Sequence, residues 1–119
     1  MFRVIIAGTR YFNDYELLAS YADKKLANIT EPIEIVSGGA AGADALGERY
    51  AKEKGYKLTI FPADWGKYGR AAGPLRNEEM AKYADALLAY WDGKSRGTKS
   101  MIELAQQYGL KVGVKIYIK

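Results

Sequence analysis

The chain has 119 residues, 49% hydrophobic and 27% charged, which is globular composition with enough length to bury a core. It holds no cysteine and no histidine. That excludes disulfides, thiolate or imidazole metal sites, a cysteine nucleophile and a Ser-His-Asp triad. The net charge of +4 sits late: residues 1–91 carry 12 basic and 12 acidic side chains, residues 92–119 carry 6 and 2. This fits a solvated basic edge better than a nucleic-acid face.

Phe2 to Ala7 is a short apolar run rich in β-branched residues and reads as a buried strand. Gly8-Thr9-Arg10 ends it. Asn13 followed by Glu16 has the form of a capping box, and Leu17, Leu18, Tyr21, Ala22, Leu26 and Ile29 recur at helical spacing. Ile33 to Val36 is a second strand, stopped at Ser37. Gly38, Gly39 and Gly42 follow within five residues, and a helical pattern begins at Ala43 with Asp44 in its first turn. Strand, glycine turn and helix N-terminus in that order expose backbone N–H groups to an anion, and the same residues also suit an ordinary tight turn. Within this helix Glu48 and Lys52 are spaced as an exposed ion pair, and Gly55 is a helix C-cap.

Tyr56 to Phe61 reads as a third strand near a sheet edge. Residues 62–73 form a long polar, aromatic loop that includes Asp64, Trp65, Tyr68 and Arg70. Pro74 is expected at the first position of the next helix, with Arg76 and Asn77 in its first turn. Ala86 to Trp91 is apolar throughout and reads as a central strand. Asp92 to Thr98 is a second glycine-containing loop, with Thr98 placed to cap the last helix. Gly109 ends that helix, and Val112 to Ile118 is a fifth strand. Strands alternating with helices imply a parallel sheet covered on both faces, with a ligand site beyond the strand carboxyl ends.

Each distinctive residue has two readings. Arg10 either clamps a phosphate or pairs with Asp14. Arg76 either contacts ligand or pairs with Glu78 or Glu79. Arg96 and Thr98 either bind or simply frame a helix start. Trp65 and Tyr68 either stack on a base or cover a core edge. Ser37 is a poor nucleophile without a histidine to activate it.

Four motifs together resemble one group: Gly8-Thr9-Arg10, Ser37 to Asp44, Gly73 to Met80, and Arg96-Gly97-Thr98. They look like the YspA/YpsA-related branch of the SLOG superfamily, which also holds the DNA-processing protein DprA and the LOG phosphoribohydrolases. The resemblance spans nearly the whole chain. It implies one α/β domain over 1–119, a Rossmann-like three-layer sandwich with a five-stranded, mostly parallel sheet, and a nucleotide or nucleotide-derived phosphate ligand. It also implies a homo-oligomer. The ligand-binding residues on this reading are Gly8, Thr9, Arg10, Ser37, Gly38, Gly39, Gly42, Ala43, Asp44, Arg76, Asn77, Arg96, Gly97 and Thr98. Arg76 and Glu79 are the catalytic candidates, with Glu78, Asp64 and Asp92 as other acids. No metal or cofactor is expected, nucleic acid is the lesser alternative, and the Met1-Phe2-Arg3 start and lack of a long apolar run suggest a cytoplasmic protein without a membrane segment. One departure bears on activity. Hydrolytic LOG enzymes carry a glutamate two residues after the threonine of the last loop, and here that place holds Ser100. A binding or sensing role is therefore favoured over N-glycosidic hydrolysis.

Overall fold

The computed structural model describes residues 1–118; residue 119 lies outside them. Five strands, β1 (Phe2–Gly8), β2 (Ile33–Ser37), β3 (Lys57–Ile60), β4 (Ala86–Trp91) and β5 (Lys111–Ile116), form one sheet in the order β3-β2-β1-β4-β5. Every pairing is parallel. The helices are α1 (Tyr15–Leu26), α2 (Ala43–Lys54), the short α3 (Trp65–Tyr68), α4 (Ala72–Tyr83) and α5 (Arg96–Gln107).

Alternation along β1 explains the layers. Val4 and Ile6 face one side, where Leu18 and Ala22 of α1 and Tyr50 and Ala51 of α2 bury them. Ile5 and Ala7 face the other, against Met80 and Ala81 of α4 and Met101, Ile102 and Ala105 of α5. The sheet is thus covered on both faces in a Rossmann-like α/β fold, as the alternation of strands and helices predicts. The hydroxyls of the two large buried tyrosines are satisfied: Tyr90 donates to the Leu18 carbonyl at 2.9 Å and Tyr50 to Asp23 at 2.6 Å.

Local starts and stops differ from expectation in four places. Asp14, not Asn13, caps α1 by accepting from the Leu17 amide at 3.0 Å, and its charge also complements the helix dipole. Ser95, not Thr98, caps α5. Residues 62–73 are not patternless, because α3 and a 3₁₀ turn at Gly69–Ala71 feed directly into α4. That helix begins at Ala72, so Pro74 is its third residue, where the amide has no intrahelical partner to lose. Arg76 consequently stands one turn inside the helix and not at its dipole end. Gly55 is the left-handed C-cap that the sequence suggests, at φ 72°.

The order reverses between β1 and β4. From β1 the chain steps outward through β2 to β3, then returns to place β4 on the other side of β1. The crevice beyond their carboxyl ends is where sheets of this kind hold ligands. Two glycines set its geometry. A Cβ on Gly42 would stand 2.4 Å from the carbonyl oxygens of Thr9 and Arg10, and its φ is +74°. Only glycine lets the β2–α2 turn touch the β1–α1 loop there. Gly47 lets α2 lie directly on β1, since its Cβ would meet Ile6 Cβ at 2.8 Å.

Gly47→Ala should therefore destabilise the protein although alanine is the better helix former, because overpacking costs about 1–3 kcal/mol. Gly97→Ala, in α5 with open space around it, should be neutral or stabilising. Urea unfolding of both variants checks this, and equal stability of the two would contradict the close α2–β1 seating.

Candidate functional site

The β1–α1 loop, the β2–α2 turn and the β4–α5 loop meet at the crevice, with α4 closing it from the second face. They enclose a cleft of about 590 Å³ lined by Gly8, Thr9, Arg10, Asp44, Arg76, Asn77, Gly97 and Thr98 among others. Eight of the fourteen residues expected to bind ligand thus share one cavity. Thr9 ties the crevice together: its amide donates to the Tyr90 carbonyl at 3.0 Å, and its hydroxyl accepts from the Asp92 amide at 3.3 Å. Asp92 in turn accepts from the amides of Lys94 (2.9 Å) and Ser95 (2.8 Å), which shapes the loop ahead of α5.

The glycine turn is not the open amide cradle that its sequence suggests. The Gly39 amide donates to Ser37 Oγ at 3.1 Å, and the Ala43 amide donates to the Thr9 carbonyl at 3.3 Å. The Ala40 amide donates to Asp44 Oδ2 at 3.2 Å, and the Gly38 amide also bonds this carboxyl group. Asp44, in the first turn of α2, folds back and places its own carboxylate where an incoming anion would otherwise sit. Ser37, Gly42 and Ala43 consequently lie beneath the cavity floor and line neither this cleft nor its neighbour.

Arg76 bridges the two halves. Its Nη1 donates to the Gly38 carbonyl and its Nε to Asn77 Oδ1 at 2.9 Å, so α4 is fastened to the β2–α2 turn. Burial lowers the guanidinium pKa, Asp44 opposes that shift, and the like charge of Arg10 adds to it. The alternatives left open for these arginines resolve in one respect. Among the described residues neither Arg10 nor Arg76 has a carboxylate oxygen within 4 Å, so the expected pairs with Asp14, Glu78 and Glu79 do not form. Glu78 pairs with Lys82 instead. Two like-charged guanidiniums near one another, with Asp44 beyond ion-pair distance as the nearby opposite charge, form a positive locus in the wall of the cleft.

Arg10 and Arg76 also line a second cleft of about 470 Å³, on the other side of Ala40, together with Gly38, Gly39, Glu48 and Trp65. Glu48 does not pair with Lys52 as its spacing suggests. It turns to the buried Ser37, whose hydroxyl donates to Glu48 Oε2 at 2.7 Å. Arg96 and Glu79 are exposed and line neither cleft. Lys94 and Glu48 are cleft-lining side chains that sequence reasoning missed. Lys94 had no signal beyond lying in a glycine loop. Glu48 had one, since it stands four residues after Asp44 and so on the face of α2 that meets the turn. Among the described residues no cluster of acids could hold a metal ion, and no helix is long and apolar enough to cross a membrane.

Burial pushes the Asp44 carboxyl up from 3.8 to about 6, against the Ala40 and Gly38 amides and the charge of Arg76; Glu48 adds to the rise. The folded protein thus keeps a proton that the unfolded chain releases between these values. The stabilisation tied to it is full below about pH 4 and is lost as pH rises through about 6. Asp44→Asn stays neutral throughout and should gain stability relative to the unaltered protein across that window, by up to about 1.4 kcal/mol per pH unit, then level off. Urea unfolding from pH 4 to pH 7.5 reads this difference, and a constant gap would contradict it.

Comparison with known proteins agrees with the motifs. A family model described as the YspA, cpYpsA-related SLOG family matches residues 2–68. The Gene 61 protein of Mycobacterium phage D29 is 36% identical over 118 residues, covering 94% of each chain. No solved structure matches. The family match covers β1 through α3, which holds the glycine turn, Arg10, Asp44 and Glu48. The chain belongs to the YspA, cpYpsA-related SLOG family.

Proposed function

We propose that this protein binds a nucleotide or nucleotide-derived ligand through its phosphate, at the carboxyl ends of β1, β2 and β4. The observation that carries the reading is the pair of arginines, Arg10 and Arg76, which share the cleft walls with no acidic partner within 4 Å among the described residues. A phosphate between them would supply the missing charge by short, charge-assisted hydrogen bonds. The Thr9 backbone and the first turn of α5, with Gly97 and Thr98, line the same cavity. Family membership supports a nucleotide-related ligand.

Binding without turnover is the reading favoured for the absence of an acid at Ser100. A hydrolytic reading has one observation in its favour. Asp44 is a buried carboxyl in the cleft with its pKa raised to about 6, the kind of group that can protonate a leaving base near neutral pH. Its carboxylate is, however, already committed to two turn amides, which favours the structural role.

Two measurements test these statements. In thermal melts, a bound nucleoside monophosphate at about 100 times its Kd should add about 2.7 kcal/mol of stability. Arg10→Ala removes an exposed side chain that the fold does not need, and should weaken binding by roughly 10–100-fold. Unchanged affinity in that variant would contradict the phosphate assignment. Release of free base from nucleoside monophosphates, followed by chromatography, should be slow or absent. Turnover near one per second that vanishes in Asp44→Asn would establish the hydrolytic reading instead.

A further inference from the structure

The second cleft differs in chemistry from the first. Its walls include three large apolar side chains that stay open to solvent, Ile60 (45% exposed), Pro62 and Trp65 (53% exposed). Trp65 is nonetheless backed on one edge by protein. The edge of its ring lies against the α4 backbone at Gly73, where an added Cβ would stand 3.2 Å from Cη2. An exposed indole that rests its edge on a neighbouring helix leaves a ring face on which a base can stack.

Beside Arg10 and Arg76, the charged side chain lining this cleft is Glu48. The Ser37 hydroxyl has one proton to give and commits it to Glu48 Oε2, while its oxygen accepts from the Gly39 amide. No lysine or arginine nitrogen lies within 4 Å of Glu48, and its Oε1 has no protein donor, among the described residues. A serine-anchored carboxylate lining an apolar-walled cleft offers acceptors and no donors. It suits a flat ring that presents adjacent N–H groups. Among the common bases, guanine does so with its N1–H and N2 amino group, whereas hypoxanthine and uracil offer a single ring N–H.

We propose that the cleft between Glu48 and Trp65 is a base subsite for a guanine nucleotide, with the ring stacked on Trp65 and its N1–H/N2 edge donating to Glu48. The assignment rests on the phosphate reading above only for the position of the rest of the ligand. Arg10 and Arg76 line both clefts, so a base in the second leaves its phosphate at the arginines.

The test uses Trp65 emission in a Trp91→Phe background, with guanosine monophosphate, inosine monophosphate, uridine monophosphate, guanosine and ribose 5-phosphate as probes. Guanosine monophosphate should quench Trp65 and bind at least about tenfold tighter than the inosine and uridine compounds, the effect of one charge-assisted hydrogen bond. Glu48→Gln should erase that preference. Trp65→Ala should weaken guanosine monophosphate about tenfold and leave ribose 5-phosphate unchanged. Guanosine should still quench at higher concentration. Quenching by guanosine with no gain from a phosphate would retain the base subsite and sink the phosphate reading. Binding of ribose 5-phosphate with no preference among the bases would do the reverse. Absence of Trp65 quenching by every guanine compound overturns the proposal. So does a Trp65→Ala variant that turns a dimer into a monomer in light scattering without altering nucleotide affinity, because Trp65 would then be covered by a second copy of the chain.

Discussion

The site depends on one side chain reaching across the fold. Arg76 leaves α4, on one face of the sheet, and donates to the carbonyl of Gly38 in the turn that leads to α2, on the other. The tie is possible because Gly38 has no side chain, since a Cβ there would stand 2.7 Å from Arg76 Nη1 and 2.9 Å from Asp44 Oδ2. With Ala40 and Arg10, Arg76 divides the crevice into two clefts. The guanidinium is half-buried, and the opposite charge of Asp44 offsets part of the cost of burying it.

The carboxylates of α2 follow the same logic. Asp44 and Glu48 stand one turn apart, each engaged with the glycine turn by a different route. Asp44 accepts from backbone amides, and Glu48 accepts from the hydroxyl of Ser37. Each contributes to a different cleft. The turn is therefore a prearranged lattice of the protein's own donors and acceptors. Preorganisation of this kind lowers the ordering cost of binding. On the proposed reading, neutralising a phosphate falls to the arginines and not to the turn amides.

Most of the architecture was legible in the sequence because its signals are local. Apolar β-branched residues such as Val4–Ile6 and Ile33, Ile35 and Val36, glycine stops and helical spacing locate all five strands and the four long helices. The edge position of β3 follows from the polar Lys57 and Thr59 that interrupt it, and the interior position of β4 from the lack of any such interruption. The misses have a common cause. Which of Asn13 and Asp14 caps α1, whether Thr98 or Ser95 caps α5, and where Glu48 points depend on side-chain geometry set by tertiary packing. The Glu48–Lys52 spacing is a fair indicator for an isolated helix, but Ser37 offers a buried donor that a solvated lysine cannot match. The occupation of the glycine turn by Asp44 belongs to the same class. The motif specifies amides near a helix start, and only the fold decides which oxygen they meet.

The central claim is that the crevice where β1 and β4 part is a nucleotide phosphate site. Backbone amide NMR during titration with a nucleoside monophosphate tests it residue by residue. The account predicts saturable shifts at Thr9, Arg10, Asn77, Gly97 and Thr98, with Gly55 and Gly109 at the opposite ends of α2 and α5 unmoved. Shifts confined to the basic β5 edge at Lys111 and Lys115, or no saturable shift at the five crevice residues, would contradict it.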